Sequence, residues 1–509
     1  MNIETFLRHH QLQENPFGAE EARHDPIFDR IAASGPSHPD FAKVLGRLDK
    51  PATAVVFGEK GSGKTALRLL LGRAVAQHNR EHPDQRVLVV AYDDLNPVLD
   101  LLLRARRQNA QAVLDRFRLE DHQDAILSLA VTKLVNAILG RSTDSQEPVE
   151  LPDEVDQILR SMPRQTRVDW AVLAALYDQP PTGSLEPRWE RLRRKLRLHW
   201  RVPMSAWRYA ATACTILAAG LALALWWMDP DPIWLAPALG LALAAAVLLW
   251  GFWAWRHAQL WRLSRQIRRD MPAVQRSASE LRRVLMDLSW ADLARQPFPT
   301  ASTSGRWPGD ARYQLTRRLL DALRPLGYVG MIILVDRVDE PTLISGDPDR
   351  MKAVVWPMLD NKFLQQQGVG VKLLLPIELR HLLHRESARF FQEARLDKQN
   401  MIDRLTWSGV TLYDLCTSRL HACLAPGAEP IALTDLFEPD VTRAMLVDAL
   451  DQMHQPRDAF KFLYAVIQEH CRLVPEEEAR FKIARLTLES VRRAQSQRVQ
   501  ELYRGLTPS

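Results

Sequence analysis

Cysteine is scarce in this chain. Four stand among 509 residues, Cys214, Cys416, Cys423 and Cys471, and no two form a CxxC pair. That spacing excludes a disulfide-built scaffold and a cysteine zinc site, and reads as reduced thiols. The chain also lacks an internal repeat, a metal-ligand cluster, and any Ser-His-Asp or Cys-His set for nucleophilic catalysis. Its opening, MNIETFLRHHQLQENPFG, is too polar for a secretory signal. Positive charge is concentrated in two places. The net charge is +6, yet Glu186–Arg201 alone carries +5 and Arg256–Asp270 carries +4. The remainder is slightly acidic, so a basic groove is not expected and nucleic acid is not an expected partner.

What the chain does have is two long uncharged runs, Tyr209–Met228 and Ile233–Trp255. Each is about the length needed to cross ~30 Å of hydrocarbon. Trp207, Trp226, Trp227, Trp234, Trp250, Trp253 and Trp255 gather towards their ends, as interfacial aromatics do. A soluble helix this long would show a polar face, and neither run does. The linker Asp229-Pro230-Asp231-Pro232 carries no base, and the arginine-rich stretches lie beyond the other ends. The pattern predicts a multi-pass protein of a bacterial-type inner membrane. Both flanks are expected in the cytoplasm and the DPDP turn outside.

Upstream of the hairpin, Val55-Val56-Phe57 reads as a short strand. It leads into Gly58-Glu59-Lys60-Gly61-Ser62-Gly63-Lys64-Thr65, which matches GxxxxGK[ST]. Ala66, Leu67, Leu70, Leu71, Ala74 and Val75 then recur at helical spacing. Strand, loop and helix are the context this motif needs. Gly58, Gly61, Ser62 and Gly63 let backbone N–H groups approach phosphates at a helix N-terminus, Lys64 contacts the β- and γ-phosphates, and Thr65 holds Mg²⁺. ATP with Mg²⁺ is the expected ligand. Far downstream, a helix bearing Leu315, Leu319, Leu320, Leu323 and Leu326 stops at Gly327. A strand, Tyr328–Val335, then ends in Asp336. Asp336 is expected to bind Mg²⁺ through water, and Glu340 or Asp339 to orient the attacking water.

The stretch IILVDRVDE resembles the hhhhDxhDE signature of STAND-type P-loop NTPases, where it forms the Walker B strand facing the Walker A loop. A membrane hairpin placed between the two motifs is similar to the KAP branch of these NTPases. The resemblance is close over residues 51–76 and 329–340 and extends elsewhere only to layout. It implies an ATP-driven switch on the inner face of a membrane, in signalling, defence or assembly of a membrane complex, with protein partners. Arg337 departs from relatives that place an acidic residue directly after the Mg²⁺ aspartate. That leaves two expectations, an ATPase or an ATP-binding scaffold with little turnover.

The remaining organisation follows. The expected fold is α/β, a P-loop NTPase parallel sheet with a transmembrane hairpin between its halves and a C-terminal helical lid. Residues 1–50 precede the first strand, 51–105 hold the P-loop half, and 106–203 a helical insert with helices at 124–139 and 169–178. The hairpin occupies 204–256, a helical return segment 257–325, the Walker B half 326–430 and the lid 431–509. Further strands are expected at Arg86–Ala91, Val371–Leu375 and, at the edge, Ile402–Val410 around Trp407. Loops rich in Ser, Pro and Gly are expected at 140–151, 179–187 and 296–310. Lid helices are expected at 441–453, 457–472 and 476–503. Glu378 or Arg380 could sense the γ-phosphate. Arg457, in Gln455-Pro456-Arg457, resembles a sensor arginine. Arg395, Lys398 and Arg404 are candidates to reach a second copy, which would make a homo-oligomer. Asn15-Pro16-Phe17 could flank the adenine.

Overall fold

A computed structural model describes residues 1–503 apart from 19–20, 32–37, 107–108, 141–147, 180–184, 199–203, 228–234 and 300–309. The expected turn Asp229–Pro232, together with Trp234 and Arg201, lies outside the described residues. The fold is mixed α/β. Five strands are present among the described residues: β1 (Ala54–Gly58), β2 (Arg86–Tyr92), β3 (Tyr328–Val335), β4 (Val369–Pro376) and β5 (Asn400–Ile402). They form one parallel sheet in the order β2-β3-β4-β1-β5. Val55 lies opposite Leu373 of β4 and Met401 of β5. Every residue of β1 and of β4 is buried, as near-continuous apolar runs in parallel sheets are.

The edge strand departs from expectation. It is Asn400–Ile402, not Ile402–Val410. Ser408 accepts a hydrogen bond from the Thr411 N–H and caps a helix, Gly409–Ala422, so residues 403–408 leave the sheet and Trp407 sits in a loop. This order puts β1 at a switch point. The connection after β1 leads to the far edge of the sheet, whereas the one after β4 crosses to β5 on the other side. Ligands of such sheets bind outside the carboxyl ends of strands at that point.

The chain divides into two compact units, Met1–Gln77 with Ile332–Ser509, and His78–Met331. In the first, the N-terminal residues pack with the C-terminal helices. Phe6, Phe17, Leu420, Leu446, Phe462 and Val466 share one buried core. The Gln13 N–H donates to the Cys423 carbonyl at 2.8 Å, and Arg419 pairs with Asp25 at 2.5 Å in the interior. The C-terminal helices are Arg443–Asp451, Pro456–Leu473 and Arg485–Tyr503. The last begins later than the expected 476, because Ile483 is held extended. Its N–H donates to the Leu436 carbonyl at 2.9 Å, and its own carbonyl accepts from the Glu438 N–H at 3.0 Å.

In the second unit, helices Leu119–Ile138 and Arg164–Tyr177 cover all but the last residue of each expected helical stretch. A helix also begins at Leu185, inside the expected loop 179–187. Buried Asp124 accepts from Arg312 at 2.9 and 2.7 Å and from the Tyr177 hydroxyl at 3.0 Å. Gly327, immediately before β3, has φ +85°, and a Cβ there would stand 2.2 Å from the Pro83 carbonyl oxygen, so glycine is required. Two helices, Met204–Trp227 and Leu235–Asp270, are long and apolar enough to cross a membrane. Only 11% of the apolar window of each is buried, which leaves Ile216, Leu223, Trp226, Leu241 and Val247 exposed. The rings of Trp207 and Phe252 lie 5.1 Å apart, so the start of the first helix meets the end of the second apolar run. The second helix continues past Trp255 through the arginine-rich stretch without a break.

Lys372 of β4 is fully buried, and its Nζ donates to the carbonyls of Ala52 at 2.7 Å and Leu45 at 3.1 Å. Burial pulls its amine down to about 8 from an ordinary 10.5. Between those values the unfolded chain holds more protons, so stability rises with pH across that window. The linkage is worth about 3 kcal/mol. Denaturation of the detergent-solubilised chain should show this rise, and Lys372→Met should remove it. Identical pH profiles in the two proteins would refute the assignment.

Candidate functional site

The loop 58–65 joins the carboxyl end of β1 to the helix Lys64–Glu81. Its conformation depends on glycine. Gly61 and Gly63 adopt φ of +96° and +93°, which side chains disfavour. Crowding adds to this, since a Cβ on Gly58 would stand 2.5 Å from Ser62 Oγ, and one on Gly61 would stand 3.0 Å from Arg457 Cβ. Lys64 turns back over the loop, its Nζ donating to the Gly58 carbonyl at 2.8 Å and the Glu59 carbonyl at 2.9 Å. Burial lowers the Lys64 amine from its ordinary value, while Asp336, Asp339 and Glu378 pull it upward and Arg457 adds to the lowering.

Asp336 follows the last residue of β3 and is 1% exposed. Thr65 Oγ1 donates to its Oδ2 at 2.9 Å. Burial raises the Asp336 carboxyl above the usual range, against the Thr65 hydrogen bond and the charges of Lys64 and Arg68. The fold therefore brings together Lys64, Thr65 and Asp336, the three side chains on which the sequence reading rested. The next turn separates the other two candidates. Arg337, at φ +60°, pairs with Glu340, whose side chain is 48% exposed. Asp339 instead lies within electrostatic reach of Lys64. Glu378, in the first turn after β4, does so as well. Arg380 stands 3.8 Å from Asp403.

Arg457 is the second residue of helix Pro456–Leu473, with its backbone N–H 3.5 Å from the Gly61 carbonyl oxygen. Its Nε is buried without a hydrogen-bond partner among the described residues. Glu59 was not singled out from sequence, yet it collects several contacts. Arg404, after β5, donates to Glu59 at 2.5 Å, and Gln455 donates to the same carboxylate. Trp407, expected in a strand, donates its indole N–H to the Ser62 carbonyl at 2.8 Å. A charged residue inside the loop motif was the available signal for Glu59; Trp407 offered none. Arg395 and Lys398 are exposed. Phe17 is buried against Phe460, and the Pro16 carbonyl accepts from Arg419 at 2.6 Å. Together, a glycine-shaped loop at a helix N-terminus, a lysine and a hydroxyl–carboxylate pair form a setting suited to a polyanion.

Thr65→Val would leave the buried carboxylate short of a partner. The expected cost is about 1–3 kcal/mol in urea unfolding, and it should shrink when Asp336 is already Leu. Strict additivity of the two substitutions would show that the contact carries no coupling. In comparisons with known proteins, no family model, curated protein or solved structure matches this chain.

Proposed function

We propose that this chain is a membrane-anchored P-loop NTPase of the KAP/STAND type, binding ATP with Mg²⁺ and hydrolysing it to reset a switch. The observation that carries the reading is the Thr65–Asp336 hydrogen bond with Lys64 beside it. The hydroxyl and carboxylate are the two side chains such a site uses around the metal, one directly and one through water. Among the described residues no three His, Cys, Asp or Glu groups stand together as a metal cage. Nucleotide-bound Mg²⁺ needs none, because phosphate and water oxygens fill most of its positions. When bound, the ion supplies charge neutralisation of the β- and γ-phosphates.

The chain's own residues supply the rest. Lys64 exchanges its two carbonyl partners for phosphate oxygens, a charge-assisted contact that outweighs a neutral one. Backbone N–H groups of Gly61–Lys64 line the phosphates. Asp339, in reach of Lys64, orients water, and Glu378, also in reach of Lys64, responds to the terminal phosphate. Arg457 meets the phosphates from the C-terminal helix. A second reading, a scaffold with little turnover, is favoured by one feature. Glu340 is held by Arg337 and faces solvent, so one of the two candidate bases is engaged elsewhere. The two apolar helices support anchoring, with both arginine-rich flanks on the cytoplasmic side.

Mg-ATP should stabilise the wild type thermally, and Lys64→Ala should lose most of that shift. Asp339→Asn should retain ATP and slow hydrolysis by roughly 10²–10⁴-fold, the usual range for a lost general base. Glu340→Gln should change it little. A reversed pattern would make Glu340 the base, and ATP binding without turnover in the wild type would select the scaffold. For anchoring, a cysteine placed at position 231 should react with an impermeant reagent from outside intact cells. Reaction only after lysis would contradict the hairpin.

A further inference from the structure

The membrane-proximal end of the hairpin carries an aromatic and cationic cluster that the nucleotide chemistry does not use. Trp207, Phe252, Trp255 and Trp290 form a ladder, with successive ring centroids 5.1, 6.2 and 6.4 Å apart. All four are partly exposed, at 38–52%. Arg256 is the first charged residue after the second apolar run. Its guanidinium lies 5.0 Å over the Trp290 ring, and the residue is 8% exposed. Its Nη1 is buried with no hydrogen-bond partner among the described residues. Arg208 and Arg282 stand within electrostatic reach of His257, the next residue. Arg262, Arg265, Arg268 and Arg269 continue the charge along the same helix, all exposed.

We propose that this cluster is a headgroup site for an anionic phospholipid, with Arg256 and Arg208 binding its phosphate and the Trp207–Trp290 ladder lying at the glycerol level. The proposal rests on the membrane reading above. Three features argue for it. Aromatic rings of this kind settle at the bilayer interface. A buried arginine with an unused donor requires an acceptor, and a phosphate offers several. Clustered arginines next to a membrane helix are attracted to anionic lipid, about fivefold in affinity per residue near the surface.

The full-length chain in mild detergent is titrated with phosphatidylglycerol and with phosphatidylcholine, and bound lipid is counted by native mass spectrometry. The wild type should prefer phosphatidylglycerol. Arg256→Gln and Arg208→Gln should each reduce that preference about fivefold, with phosphatidylcholine binding weakened less. Should Arg256→Gln fail to fold, the exposed Arg208→Gln carries the test. Equal binding of both lipids by the wild type, or an undiminished preference in Arg208→Gln, overturns the proposal. So does full competition by millimolar inorganic phosphate, which would mark a general anion site. A dimer in phosphatidylcholine that Arg208→Gln dissociates would assign the face to a second copy. Carbonate extraction of cell membranes is run alongside. Release of the wild type into the soluble fraction would remove the membrane reading itself, whereas retention with no lipid preference removes only the headgroup site.

Discussion

A single hydrogen bond, from Thr65 to Asp336, joins two parts of the chain 271 residues apart. It requires the loop after β1 and the end of β3 to meet at the same rim of the sheet. That meeting depends on the strand order, which places β4 between β1 and β3. It also requires a carboxylate to remain buried. The cost of that burial is offset chiefly by Thr65, Lys64, Arg68 and the backbone N–H of Arg337. A buried, charged set of this kind is costly for folding alone, and such clusters are candidates for functional positions.

The same constraint bears on how the long intervening stretch, with its two apolar helices, is accommodated. Most of the chain between the two partners forms a separate compact unit, His78–Met331. The chain crosses into it within helix Lys64–Glu81, which starts in the glycine-rich loop, and returns within β3, which ends at Asp336. Both crossings therefore lie in elements that carry Lys64, Thr65 or Asp336 at or just beyond one end.

Much of the fold was legible because its strands are uniform apolar runs. Arg86–Ala91, Tyr328–Val335 and Val371–Leu375 each fall within a residue or two of an observed strand. The glycine-rich loop and the apolar helices were equally plain, since each obeys a local rule. The failures share a cause. Ile402–Val410 reads as a strand, but the Ser408 cap converts its second half into the approach to a helix. Ile483 reads as helical, but a pairing with residues 436–438, distant in sequence, holds it extended. The distinction between Asp339 and Glu340 was equally invisible, because it depends on Arg337 turning to a positive φ. Glu59, Arg404 and Gln455 converge only through tertiary structure.

The central claim is that Thr65 and Asp336 form, with Lys64, a site for a metal-bound nucleoside triphosphate. Electron paramagnetic resonance of Mn²⁺, a substitute for Mg²⁺, tests it most directly. The account predicts a protein-bound Mn²⁺ signal that appears only when ATP is added and is lost in Asp336→Ala. A signal that forms without ATP, or that survives in Asp336→Ala, would contradict it.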